Sequence, residues 1–355
     1  QENQEEKLAQ QNALTEEGRK EAQEQAIRDL RDRMKTALDA ALEFRRAGNL
    51  KSMKKYVARA ETACREALNR LPNFAEAHYR LGRIYRVVMQ NDKALEQQEL
   101  ALKKDADFAP ALYERIVLTS WDYQANVSDL VKKAWQEQGS KLFDNPEDKK
   151  NLILHVPSKE ELVSADPETS AIETQIKQDL LLLRELLSRQ PDIIQEEEVT
   201  LARGLYAWVT GRMTDAEEFL SQAIHLNPLL DEGYEALAQL EANRGNFEQS
   251  ILWRTEGLSN DRGYLPHLEG RGLARFFWGM SEKNKMEDPI SHFRLAMKDY
   301  KAATVMDSER GKAWLNSALI NMHWGTHLQA QGKDGTSHFE TALLELEEAS
   351  RRSPD

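Results

Sequence analysis

Apolar and polar positions alternate along this chain at the three- and four-residue spacing of amphipathic helices, broken at short intervals by Gly, Pro, Asn and Asp. The columns that repeat most faithfully are small or aromatic. Trp278-Gly279, eleven variable residues and Ser291-His292-Phe293 recur as Trp324-Gly325 and Ser337-His338-Phe339, each position displaced by 46. Ala296/Ala342 and Ala303/Ala349 keep the same offset. A sparse pattern written twice at one spacing signals either a ligand site made twice or one structural unit stacked on its copy. The capping box formed by Ser337 and Glu340, the turn dipeptides Asp288-Pro289 and Asp334-Gly335, and the aromatics that flank them favour the structural unit. On this reading Trp278 and Trp324 close a first helix, the following glycines relax its end, and Phe293 and Phe339 begin the buried face of a second.

A 34-residue unit appears elsewhere. Leu81, Gly82, Tyr85, Ala94 and Ala101 fall at the spacings of one copy, and Gly204, Gly211, Ala216, Leu220, Ala223 and Pro228 at those of another. This resembles the tetratricopeptide repeat, with its W-x2-L-G-x2-Y, A-x3-F and closing Pro. Two antiparallel helices approach closely where Gly or Ala removes a side chain, and a larger residue one turn away fills the gap. Neither helix buries its stripe alone, so hairpins must stack. The expected fold is all-α, a right-handed superhelical solenoid of antiparallel helix pairs.

Four regions are predicted. Residues 1–33, rich in Gln, Glu and Arg with sparse apolar positions such as Leu8, Leu14, Ile27 and Leu30, form a charged stalk or capping helix. Residues 34–108 hold two repeats. Residues 109–196 form an irregular hairpin, its helices in "APALYERIVLTSWDYQ" and "QDLLLLRELLSRQPD", separated by about fifty residues that include Pro146, Pro157 and Pro167. Residues 197–355 hold four more repeats, two of them 46 residues long, with the additional dozen residues expected between the helices of each hairpin.

Bulk composition narrows the function. A net charge of −12 argues against a nucleic-acid partner, because following phosphates takes an excess of Lys and Arg. One cysteine, Cys64, leaves the redox compartment open. No apolar run approaches the ~20 residues of a membrane helix, and the first residue, Gln1, is expected to follow a removed or excised segment through which the region is tethered to a membrane. His323 and His327 share a helix face but lack the Glu of H-E-x-x-H and a third ligand. "GRGLAR" (270–275) lacks the last glycine of a dinucleotide fingerprint, and "GKDGTS" reads as a turn. No nucleophile–base set stands out. The chain is predicted to be no enzyme, with no cofactor and no metal.

The working surface of such an array is the groove lined by the first helix of each hairpin. What the resemblance implies for this sequence is a basic end at Arg45, Arg46, Arg80, Arg83 and Arg86 with Tyr79 beside them, suited to an acidic or phosphorylated segment. Leu201, Leu205, Trp208, Leu273, Phe276 and Phe277 would make a more apolar stretch for a helix or extended peptide. The family's carboxylate grip on chaperone tails is not carried over, since Leu38, Leu42 and Arg80 occupy those columns. The last third, "RGLARFFWG" through "MHWG", also resembles the repeat arrays that follow the kinase domain of bacterial eukaryote-like serine/threonine protein kinases, although no kinase motif is present. The expected role is a non-catalytic protein- or peptide-binding scaffold, the sensory or docking region of such a kinase. The alternative is a structural factor that self-associates within a larger complex.

Overall fold

A computed structural model of the chain describes residues 2–144 and 157–352, and among them fifteen helices and no strand. In chain order these are α1 (Glu2–Arg46), α2 (Leu50–Arg70), α3 (Ala75–Val87), α4 (Asn91–Lys104), α5 (Ala109–Asp144), α6 (Lys159–Ala165), α7 (Pro167–Arg189) and α8 (Glu196–Val209). They continue as α9 (Met213–Leu226), α10 (Asp231–Asn243), α11 (Phe247–Asn260), α12 (Leu265–Asn284), α13 (Ile290–Met306), α14 (Gly311–Ala330) and α15 (Thr336–Arg352). The chain divides into two compact units, Gln1–Glu43 with Lys51–Ala111 and Phe44–Leu50 with Leu112–Asp355.

In the first unit, α1 turns Leu30, Met34, Leu38 and Ala41 inward at three- and four-residue spacing, and α2 does the same with Met53, Ala60, Cys64 and Ala67. No break in α1 marks the boundary expected at residue 33; the side chains of Leu8 and Leu14 lie outside the described residues. Burial pushes the Cys64 thiol up to about 12, so it stays a protonated core residue. In the α3/α4 hairpin Gln98 fills the space left by Gly82, and its amide donates to the Tyr79 carbonyl at 3.2 Å.

The second unit is built from hairpins in succession. α8 pairs with α9, α10 with α11, α12 with α13 and α14 with α15, and each hairpin packs on the next through α9/α10, α11/α12 and α13/α14. The small columns do the work expected of them: Ala216, Ala223, Ala296, Ala303 and Ala342 are buried, and Leu220 occupies the place of a side chain at Gly204. Gly211 has another role, turning the chain at φ 75° after α8.

The 46-residue units depart from expectation in an instructive way. Most of their additional residues do not lie between the helices but lengthen them: α12 and α14 have 20 residues where α10 has 13, and α13 and α15 have 17 where α11 has 14. Trp278 and Trp324 therefore sit inside the first helix rather than closing it. Each Trp stacks on the His of the second helix, Trp278 on His292 and Trp324 on His338, both at 4.4 Å between ring centroids. A Cβ on Gly279 or Gly325 would stand 2.9 Å from the ring of Phe293 or Phe339 respectively, so glycine there admits the aromatic rather than loosening the helix. The repeated residues are a double clasp, Trp on His and Phe on Gly, joining the long arms of each hairpin. The caps also differ. Ser291 and Ser337 lie within the first helical turn, and the turn acceptors are Asp288, bound by the Ile290 N–H at 3.1 Å, and Asp334, bound by the Thr336 N–H at 2.9 Å.

The irregular hairpin is more regular than its prolines imply. α5 runs for 36 residues, so the first part of the predicted insertion continues the helix, whereas Pro146 lies outside the described residues. α6 opens on a capping box between Ser158 and Glu161, and Pro167 sits in the first turn of α7, where its missing N–H costs nothing. Arg115 grips Asp179 with two bonds of 2.7 and 2.6 Å, tying α5 to α7.

Candidate functional site

Exposed apolar side chains occur along the second unit, and one set of them shares the first helices of its last two hairpins. Leu273 and Phe277 stand one turn apart on α12, and Leu315, Leu319 and Met322 follow one stripe of α14, all exposed by 38–47%. Phe276 joins the two helices: its ring lies 5.6 Å from Phe277, 5.8 Å from Phe293 and 5.3 Å from His323 of α14. Partial burial, with help from the Lys283 ammonium, lowers the His323 pKa and keeps that imidazole neutral and compatible with an apolar face. Leu315, Leu319 and Met322 were not predicted, yet the offset of 46 that maps Trp278 onto Trp324 also maps Leu273 onto Leu319 and Phe276 onto Met322.

Leu201, Leu205 and Trp208 do not belong to this surface. All three are buried on α8, where Ala202, Ala207 and Val209 are buried too. The indole of Trp121 from α5 meets Trp208 edge-on at 5.2 Å, so the long helix of the preceding hairpin packs on the residue that a regular neighbour would leave open.

The arginines expected at one basic end fall into different units and different states. In the first unit Arg80 donates to Glu76 at 2.8 Å, and Glu76 also holds Arg31 at 2.5 Å. Arg83 donates to the Tyr79 hydroxyl at 3.4 Å; Tyr79, Arg83 and Arg86 are half-buried on α3. Arg45 and Arg46 belong to the second unit. Arg46 is half-buried, and its carbonyl accepts from the Arg262 N–H at 3.1 Å.

Arg45 is a core residue and cannot meet a partner. Its guanidinium donates to Asp231 at 2.6 Å and to Asp261 at 2.8 Å, and lies 5.0 Å from the ring centroid of Tyr264. Burial works to lower its pKa, but Asp231 and Asp261 outweigh burial and hold it above the ordinary value. Burial, reinforced by Asp261 and opposed by Arg45, pushes the Asp231 carboxyl up. Next to this ion triad lies His267, with no exposed surface, no hydrogen-bond partner on either ring nitrogen among the described residues, and Asp231 Oδ1 3.8 Å away.

Burial first, then the cations Arg254, Arg45 and Arg271, drive the His267 pKa well down, so it is folded as the neutral imidazole. The unfolded chain then binds one proton more than the folded chain below the ordinary histidine value near ~6.5. Compared with a His267→Gln variant, the native chain is expected to lose up to about 1.4 kcal/mol per pH unit as pH falls below ~6.5 toward the lowered folded value. Urea midpoints of the two proteins, measured in parallel from pH 8 to pH 5, check this; Asp231 and Glu235, whose raised values act in the opposite sense, are common to both.

His323 and His327 part company despite their spacing. His323 faces Phe276, while His327 Nε2 contacts the Gln331 amide at 2.9 Å and lies 3.6 Å from Asp288. Among the described residues no group of three His, Cys, Asp or Glu is placed to hold a metal ion, and no helix is long and apolar enough to cross a membrane.

No family model matches the chain, and no curated protein matches it. Solved structures do. A monomeric mutant of IFIT1 in complex with Gppp-AAAA is 13% identical, covers 87% of this chain and 58% of its own, and superposes with a TM-score of 0.50. TTC0263, a thermophilic TPR protein of Thermus thermophilus, is 17% identical over 66% of this chain and 98% of its own, with a TM-score of 0.40. Yeast Tom70 is 17% identical over 88% of this chain and 69% of its own, with a TM-score of 0.39. The chain therefore shares the tetratricopeptide-like fold, an all-α helical solenoid of stacked hairpins, and at these identities the likeness is one of fold.

Proposed function

We propose that this tetratricopeptide-like array is a non-catalytic scaffold that takes a protein segment along the α12/α14 face. The observation that supports the reading is the run of half-exposed apolar side chains on neighbouring first helices, from Leu273 and Phe277 to Leu315, Leu319 and Met322, bridged by Phe276. An amphipathic helix or an extended peptide with alternate apolar residues presents complementary anchors at about that spacing. The acidic or phosphorylated character expected of the partner loses two of its supports, Arg45 and Arg80, because both are paired with the chain's own carboxylates. The resemblance of the last third to kinase-linked arrays supplies the proposed context, a docking region in signalling.

Selection of a displayed random-peptide library on the full chain tests the site. Peptides recovered by the native chain are expected to bind a Leu319→Glu variant about tenfold or more weakly, since a carboxylate would enter the apolar contact without a partner. Equal binding by the two proteins refutes the assignment.

One observation favours assembly as a second reading. Leu343 and Leu344 on α15 are 63% and 64% exposed, and the 46-residue offset places Leu343 on Met297, whose sulfur accepts the Ser317 hydroxyl of α14 at 3.5 Å. Leu343 thus occupies a column through which the preceding hairpin meets its successor. If this face joins copies of the chain, light scattering at micromolar concentration is expected to give more than the 40.7 kDa monomer, and Leu343→Glu to restore that mass. A native monomer at those concentrations excludes the second reading.

A further inference from the structure

A cavity of about 270 Å³ opens between α10, α11 and α12, and its chemistry is divided. Its apolar wall includes Leu273 and Phe277, and its polar lining includes the amides of Gln239 and Asn243. Deeper polar groups also line it. Ser250 is fully buried and its hydroxyl has no hydrogen-bond partner among the described residues. Arg254 is 96% buried by its 4% exposure, its Nε has no hydrogen-bond partner, and no carboxylate stands within ion-pair distance of it among the described residues.

The position of that guanidinium is specified by the fold. Gly270 of α12 leaves the space that Arg254 occupies, and a Cβ there would collide with it; one Nη donates to the Pro266 carbonyl at 3.3 Å. The carboxylate with most influence on Arg254, Glu235, is itself bonded by the Tyr264 hydroxyl at 2.8 Å. Burial outweighs Glu235 and lowers the Arg254 pKa, the signature of a cation whose neighbours only partly compensate it. In a chain with 60 acidic residues, none lines this cavity. A buried donor and a buried cation without full partners, lining the same small space as an aromatic and a leucine, form a receptor for an anion with an apolar body.

We infer that the cavity binds a small organic monocarboxylate, its carboxylate at Arg254 and Ser250 and its aromatic or branched aliphatic body against Leu273 and Phe277. The carboxylate would accept from Arg254 Nε and the Ser250 hydroxyl, satisfying both groups at once. The two side chains of the apolar wall belong also to the proposed peptide face, so a bound acid would alter the surface a partner meets. The acid site itself does not require that partner.

Calorimetric titration of the full chain with 4-phenylbutyrate, with its neutral counterpart 4-phenyl-1-butanol and with acetate tests the inference. The acid is expected to bind about tenfold or more tightly than the alcohol, and acetate, lacking the body, more weakly than 4-phenylbutyrate. Arg254→Met keeps most of the buried volume and is expected to bring acid and alcohol within about twofold of each other. The preference in the native chain needs no variant to fold. No binding of 4-phenylbutyrate at millimolar concentration, or equal binding of acid and alcohol by the native chain, overturns the assignment. Displacement of the acid by an octapeptide ending in a free phenylalanine carboxylate would give the site to a chain terminus and overturn it as well. Failure here leaves the library selection with Leu319→Glu unaffected, so the two readings are separable.

Discussion

Arg45→Ala is expected to destabilise the second unit by about 3–5 kcal/mol at neutral pH, one of the two largest losses predicted for a single substitution in this chain. The reason is what remains rather than what is removed. Asp231 and Asp261 both bond Arg45, and both are nearly excluded from solvent. Without the guanidinium, two carboxylates face each other in the interior with no cation between them. Asp261 retains the Gly263 N–H at 3.0 Å, but that bond cannot neutralise a charge. The sign of the pH dependence follows from Asp231, whose carboxyl burial already holds above the ordinary value. A raised acid in the folded state adds stability as pH falls and withdraws it as pH rises, so the deficit of Arg45→Ala should be smaller at pH 5 than at pH 8. Urea unfolding of both proteins at the two pH values measures it. A loss below ~1 kcal/mol at pH 8 would mean that water or rearrangement relieves the pair, and that the triad does not hold these helices together.

How much of this was legible beforehand depends on the scale of the question. Pairing of helices could be read from small columns, because Ala216, Ala296 and Ala342 can serve close packing only if another helix lies against them. The recurrence of Trp-Gly and Ser-His-Phe was legible as structure. Its content was not, since spacing reveals that two positions correspond but not that one ring lies over another. Helix length was misplaced for a similar reason: an insertion of twelve residues between small columns looks the same whether it forms a loop or extends both arms.

Arg45 left the expected basic end for an electrostatic reason. A register that brings Arg45 to a helix face says nothing of Asp231 and Asp261, which are about 190 and 220 residues away in sequence and reach it only through the fold. Arg254, by contrast, gave no signal at all. It lies on α11, the second helix of its hairpin, and its interest comes from a missing partner, which no pattern of residues records.

Trp208→Ala should likewise cost about 3–5 kcal/mol, as large as any substitution in a packed core. The repeat register places Trp208 in the groove, where truncation would weaken a partner and leave stability nearly intact. Its surroundings argue the opposite. The indole is 1% exposed, meets Trp121 edge-on, and shares α8 with Leu201 and Leu205, neither of which has exposed surface. Alanine would open a void walled by side chains from α5 and α8, and the long α5 cannot collapse into it without drawing apart the Arg115–Asp179 bridge to α7. Trp208→Phe, which keeps an aromatic ring against Trp121, should recover a large part of the loss. Chemical denaturation of the three proteins decides the matter together with peptide affinity measured below the transition. A groove residue would show unchanged midpoints and weakened binding. Truncation of a core residue lowers the midpoint and, while the protein remains folded, leaves affinity for peptides on the α12/α14 face within about twofold, because the sites share no contact.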